Sequence, residues 1–280
     1  MNNNSKKYRI PLFEGDPSDS AVLNPQDWLS TVRKLRGITH PDLPKYGILS
    51  FQYMRLSETL EKKYNGKKII FFENYPPLYK ISFKSLKIVC AFIPVGSAAA
   101  GMRFEELIAC GLTHAILVGG AGVLDPQIQR GTLIIPMKAL RDEGTSFHYQ
   151  TPSRYARSSE KVSQSLRKTL LETRKNFLEG TTWTTDAPYR ETYGKIRQYR
   201  AEGIVSVDME ASALFSIARF RKIDLGALFV AGDCIGGENW DDRRQKGDQN
   251  QVNKFWEKAL DLAINALWKL HNYKETLQKE

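Results

Sequence analysis

From about residue 47 onward, short runs of apolar and β-branched residues alternate with longer stretches in which apolar positions recur every three or four residues. Runs of four to eight apolar residues bounded by turn formers read as buried strands, and the three-to-four spacing reads as amphipathic helix. The pattern predicts strands over residues 47–51, 68–72, 86–95, 115–120, 131–136, near Thr181, 204–207 and 225–233. It predicts helices over 56–64, 98–111, 159–174, from Met209–Glu210 to about 219, and 250–270. Strands that are apolar throughout and separated by helices belong to an α/β fold whose sheet is covered on both faces. The expected architecture is a single α/β domain, residues 41–280, with a mixed, mostly parallel central sheet flanked by helices. Residues 1–40 are rich in Asn, Ser, Asp and Pro with weak periodicity, and read as an N-terminal extension that wraps the surface or reaches a neighbouring subunit.

One position breaks the pattern. In GIVSVDMEASALFSIAR, residues 203–219, Ile204, Val205 and Val207 read as a buried strand, and Asp208 stands where a helix N-terminus favours a carboxylate. Ala211, Leu214, Phe215 and Ala218 follow at helical spacing. Three, four and seven residues beyond Glu210 stand Ala213, Leu214 and Ile217, so its carboxyl is stacked on the apolar stripe. An unpartnered buried carboxylate costs on the order of several kcal/mol, so something must hydrogen-bond to it. That partner is either a backbone amide or arginine of the protein, or a hydroxyl of a ligand.

Composition narrows the function classes. The chain has 280 residues, of which 41% are hydrophobic and 26% charged, so it can bury a core and is not a disordered polyelectrolyte. MNNNSKKYRIPLF carries no apolar segment of signal-peptide type, and no run approaches 18 apolar residues, so a cytoplasmic protein without a membrane partner is expected. The formal charge of +10 suits an anionic substrate, but Lys and Arg are interspersed with Asp and Glu, which argues against a nucleic-acid stripe. Cys90, Cys110 and Cys234 are odd in number, far apart and set among apolar neighbours, so neither a disulfide framework nor a metal site is expected.

Ligands of open α/β sheets gather at the carboxyl ends of the strands. That rule brings together residues 94–98, 119–122, Met209–Glu210 and Gly232–Asp233. GGAGVLD departs from G-x-G-x-x-G and leads into another strand, and GSAAAG lacks the Lys-Ser/Thr of a phosphate loop, so neither dinucleotide nor P-loop binding is indicated. The glycines serve close backbone approach to a ligand, or tight turns.

In order and approximate spacing, FEELIACG, VGGAGVLDPQIQRGTLIIP, ALRDEGTSFHY, TTDAPYRET, VDMEASALF and FVAGD resemble the class I nucleoside phosphorylase and nucleosidase family, the purine/uridine phosphorylase type. The resemblance runs from about Leu86 to Arg244 and implies cleavage of the bond between a base and ribose, by phosphate or by water, through an oxocarbenium-like transition state. It implies that an ionised Glu210 accepts hydrogen bonds from ribose hydroxyls and that Met209 lies against the sugar. It implies that Asp233 protonates or hydrogen-bonds the leaving base, assisted by Arg243 or Arg244; taken alone, Asp233 also suits a helix cap or a loop carboxylate. Tyr189 and Arg190 fall at the base pocket, where the expected stacking aromatic is replaced by Pro188, with Glu191 close by. His148 reads as part of a structural turn.

The departures concern phosphate. Leu117 and Gly120 occupy positions where phosphorylases of the family carry an arginine and a Ser or Thr, and Arg55 is the one remnant of an arginine-bearing loop. An oxyanion needs several charge-assisted donors. Gly96, Ser97, Arg103, Arg141 and the amide of Gly120 are the candidate substitutes. The resemblance therefore implies phosphorolysis with inorganic phosphate as co-substrate and no other cofactor. Its alternatives are a nucleosidase and a silent nucleoside binder, and the expected assembly is a homo-oligomer, a dimer or hexamer.

Overall fold

A computed structural model of the chain describes residues 10–37, 42–70, 76–244 and 246–277. The described chain runs α1 (Pro25–Arg36), β1 (Tyr46–Ser50), α2 (Tyr53–Lys62), β2 (Lys67–Ile69), β3 (Leu78–Phe83), β4 (Leu86–Phe92), α3 (Ser97–Ala109), β5 (His114–Val123) and β6 (Leu133–Asp142). It continues through β7 (Tyr155–Arg157), α4 (Glu160–Glu172), β8 (Phe177–Thr185), α5 (Tyr193–Ala201), β9 (Ile204–Asp208), α6 (Ala211–Phe220), β10 (Asp224–Cys234) and α7 (Gln249–Leu277).

All strands join one mixed sheet of order β10-β6-β8-β9-β5-β1-β4-β3-β2, with β7 paired to β6 and β10 also paired to β5. The ladders β4–β1–β5–β10 and β6–β8–β9 are parallel. Short antiparallel contacts, Gly122 opposite Val207 and Phe229 opposite Ile134, tie the two sets together, so β5, β10, β6, β8 and β9 close into a ring. The apolar strands are buried because helices cover both faces: α3 and α6 pack on one core cluster, α2, α4 and α7 on the other. Ile116, Leu117 and Val118 are fully enclosed, which explains why β5 reads as continuous apolar sequence. No helix among the described residues is long and apolar enough to cross a membrane.

Several boundaries depart from the sequence pattern, each for a physical reason. The extension contains a helix. Asn24 and Asp27 form a capping box, Pro25 opens α1, Gly37 at φ 63° closes it, and Leu29 and Val32 are buried as it packs on α3. β6 continues six residues past Pro136, because a register irregularity between Pro136 and Lys138 accommodates the missing N–H. β5 runs three residues past the predicted 115–120, so Gly119, Gly120 and Gly122 all lie within the strand rather than in a turn. Residues 71–72 of the predicted strand and 1–9 of the extension lie outside the described residues.

Candidate active site

Two helix N-termini meet at the carboxyl ends of β9 and β4. At the first, Asp208 is buried and accepts four hydrogen bonds. Its Oδ2 takes the amides of Glu210 at 2.8 Å and Ala211 at 2.6 Å, and its Oδ1 the hydroxyls of Thr182 at 3.1 Å and Thr184 at 2.9 Å. This satisfies the open amides that start α6 and fixes the direction of the next carboxylate. Glu210 is then the N-cap, φ −139°, with its side chain buried.

Its partner comes from the second terminus: Gly96 donates its amide to Glu210 Oε1 at 2.5 Å. Gly96 precedes α3 with φ 99°, a conformation that disfavours any side chain and turns the amide inward. Ser97, buried, donates its hydroxyl to the Met209 carbonyl at 2.7 Å. The sequence left the partner of Glu210 open between protein and ligand; a backbone amide supplies at least one bond. Burial, reinforced by the charge on Asp208, pushes Glu210 up to about 8 against the opposing pull of the Gly96 amide. Burial thus opposes the ionised form that the resemblance implies, and hydroxyl donors are what would favour it.

Around this junction the ends of β6 and β8 are knitted to α6. Glu143 Oε1 accepts from Ser212 Oγ at 2.7 Å and Oε2 from the Ser146 amide at 3.0 Å, while Asp186 Oδ2 accepts from the Gly144 amide at 2.9 Å.

Asp233 reaches the same region from β10. A β-carbon placed on Gly122 would meet Val207 Cγ1 at 3.0 Å and Asp233 Oδ1 at 3.3 Å, so this glycine lets the ends of β9 and β10 approach across β5. The β10–β5 register shifts between Ala231 and Cys234, an irregularity of the kind that re-aims a side chain. Beyond it, Cys234 and Asp241 exchange backbone hydrogen bonds at 2.8 and 2.9 Å and close a small loop. The loop brings the exposed indole of Trp240 back, and its Nε1 donates to Asp233 Oδ2 at 2.7 Å. Glu191 ends the 3-10 turn Pro188–Arg190 half-buried, and burial, then the charge of Asp233, pushes its carboxyl up to about 7.

The remaining sequence candidates divide by location. Tyr189 is 98% exposed on the turn that also carries Arg190. Gly120 is an exposed strand position, where an added β-carbon would meet the Trp256 ring of α7 at 3.4 Å. Arg243 lies away from Asp233: it donates to the carbonyls of Ile128 and, at 3.0 Å, Pro126. Arg244 is exposed and paired with Asp242 at 3.2 Å. The side-chain donor to Asp233 is instead Trp240. Arg55 donates to Asn253 Oδ1 at 3.0 Å. Arg141 holds its own loop, donating to Ser146 Oγ, the Thr151 carbonyl and the Gln150 carbonyl at 2.8, 2.9 and 3.0 Å. Arg103 is fully buried and paired with Glu106 at 2.9 Å. His148 lies exposed in the 3-10 turn Thr145–His148, as the sequence suggested. Of the three cysteines, Cys90 and Cys234 are buried and Cys110 partly so, all as free thiols.

Trp240 and the threonine cradle of Asp208 were missed by the sequence reading. A signal for the first exists, an aromatic in the short polar stretch IGGENWDD after Asp233.

Residues 49–270 match the family model described as Phosphorylase superfamily. The purine nucleoside phosphorylase of Plasmodium vivax is 26% identical over 193 residues, covering 68% of this chain and 77% of its own length. The uridine phosphorylase structure from Vibrio fischeri superposes with a TM-score of 0.70 at 24% identity, covering 83% of this chain and 95% of its own. An AMP nucleosidase structure from Bacteroides thetaiotaomicron gives a TM-score of 0.70 at 22% identity, covering 90% and 100%. At these identities the two structures establish the fold alone.

Proposed function

The chain belongs to the phosphorylase superfamily, and on that premise we propose that it cleaves the N-glycosidic bond of a nucleoside, by phosphorolysis to free base and ribose 1-phosphate. The observation that carries this reading is the Glu210 junction: a buried carboxyl, seated between two helix N-termini by the Gly96 amide, with Asp233 brought towards it across Gly122. Glu210 accepts ribose hydroxyls, and its ionised form supports the positive charge that develops on the sugar as the bond breaks. Asp233 addresses the base, and Met209 lies against the sugar. A nucleophile then attacks the anomeric carbon from the opposite side.

A second reading, hydrolysis by water, is favoured by one feature. The donors nominated for phosphate are engaged within the protein: the Gly96 amide with Glu210, the Ser97 hydroxyl with Met209, Arg55 with Asn253 and Arg141 with its loop. Incubation with a nucleoside panel, with and without phosphate, separates the two. Ribose 1-phosphate formed only with phosphate supports phosphorolysis, free ribose independent of phosphate supports hydrolysis, and no turnover of any nucleoside leaves a silent binder.

We also infer a homo-oligomer. Trp28 and Leu35 on α1, Met102 on α3 and Val95 at its entry are 46, 80, 55 and 62% exposed, apolar side chains on two packed elements that a second subunit would cover. Sedimentation at micromolar concentration should give a species larger than 31.9 kDa, and a sole monomer would refute it.

A further inference from the structure

We propose that the Trp240 indole is the aromatic wall against which the base of the substrate packs, and that it sets a preference for purine over pyrimidine nucleosides. The inference rests on the nucleoside-cleaving reading and adds to it the residue that recognises the base.

Three observations carry it. The first is the tie to Asp233. The indole Nε1 donates to Asp233 Oδ2 at 2.7 Å, which leaves the other carboxyl oxygen for a ligand. That oxygen, Oδ1, accepts from no described residue, and a β-carbon on Gly122 would meet both it and Val207 Cγ1, at 3.3 and 3.0 Å. A base bonded to Oδ1 therefore comes to lie beside the indole.

The second is the loop that presents the ring. Besides the exchange between Cys234 and Asp241, the Ile235 amide donates to the Val123 carbonyl at 3.0 Å and Arg200 Nη1 to the Gly236 carbonyl at 3.3 Å. A β-carbon on Gly236 would collide with the Leu124 carbonyl, so glycine is what lets the loop lie this close to the end of β5. An aromatic side chain held by a pinned loop and by its own N–H loses little freedom when a ligand arrives, and contact made with it is retained as affinity.

The third is that the ring is open. Trp240 is largely exposed, and no aromatic ring or cation of the described residues packs against it. Because its N–H is already satisfied, what the indole offers a ligand is its apolar, π-bearing faces. Contact energy grows with the area covered, and the two fused rings of a purine cover more of an indole than the single ring of a pyrimidine.

The test compares wild type, Trp240→Ala and Trp240→Phe in the full chain. Trp240→Ala should raise KM for inosine or adenosine about tenfold or more and KM for uridine less than about threefold, so that the purine preference in kcat/KM declines. Trp240→Phe, which keeps an aromatic face, should raise the purine KM less than about threefold. Without turnover, hypoxanthine or adenine should quench the fluorescence of the wild type, and Trp240→Phe should lose most of that quenching. The quenching is read on these two proteins alone, so it judges the inference even if Trp240→Ala misfolds. Cleavage of nucleosides by a wild type that prefers uridine, equal KM values for wild type and Trp240→Ala, or quenching that survives Trp240→Phe would overturn the inference and leave the reaction standing. A smaller species in sedimentation of Trp240→Ala would assign the indole to a subunit contact and overturn it too. A wild type that cleaves no nucleoside and binds no base would overturn the nucleoside reading itself, and this inference with it.

Discussion

The Glu210 junction and the Asp233 region, proposed above as the sugar and base ends of the site, are built on opposite plans. Around Glu210 every support comes from the ends of regular elements: the Asp208 cap, the Thr182 and Thr184 hydroxyls of β8, and the Gly96 and Ser97 entry to α3. Asp208, Glu210 and Ser97 are 7, 5 and 1% exposed, so the hydrogen bonds there are shielded from water and hold one geometry. At the other end Asp233 stands at the irregular end of β10, its donor is an indole that is 63% exposed, and Glu191 sits on a 3-10 turn beside the 98% exposed Tyr189. On the proposed reading, the chemistry shared by all nucleosides, gripping ribose, falls to the core. The part that must fit a particular base is placed on loops, where substitution costs little stability.

This contrast can be broken most severely at Glu210. Glu210→Ala should lower kcat/KM by about 10⁴-fold, through both terms, because it removes the acceptor for ribose in ground and transition state alike; steady-state kinetics on any cleaved nucleoside would show it. Asp233→Asn should reduce kcat by about 10²–10⁴-fold while KM changes little, with the penalty shrinking for 4-nitrophenyl riboside. An equal loss on both substrates would show the base end to be structural and would erase the distinction between the two ends.

The third effect is a pH dependence of binding that originates at Glu210. Burial raises Glu210 from its ordinary 4.5 to about 8, so nucleoside binding, which uses the ionised form, should weaken up to about tenfold per pH unit below 8. The stability sign is opposite. A carboxyl whose folded value is raised contributes stability that is fully present below 4.5 and is lost as pH rises through about 8. Glu210→Gln should therefore abolish the pH dependence of affinity and raise the Tm of the free protein at pH 9, as calorimetry and thermal scans would reveal.

Smaller effects sharpen the comparison at the exposed end. Trp240→Phe removes an exposed hydrogen bond to Asp233, and should cost roughly fivefold in kcat with a Tm shift of at most a few degrees. Arg243→Ala should do the reverse. Its guanidinium supports the 126–128 carbonyls, so the variant should lose about 1–2 kcal/mol in denaturant midpoint analysis and less than about twofold in turnover.

Local patterns in the sequence were enough to specify the α/β alternation, because a fully covered strand must be apolar along its whole length and a covered helix must repeat every three or four residues. They also singled out Glu210, whose polarity conflicts with the apolar run around it, and Asp233, which ends one. What they could not specify depends on residues distant in the chain. The ring closure through Gly122 and Val207, the approach of Gly96 to Glu210 across 114 positions, and the turn of Arg243 away from Asp233 all follow from how strands register and where loops return. The upward shift of Glu210 was not legible in the sequence for the same reason. A side chain carries its ordinary acidity in its own structure, but desolvation and the field of Asp208 exist only once the fold has buried both.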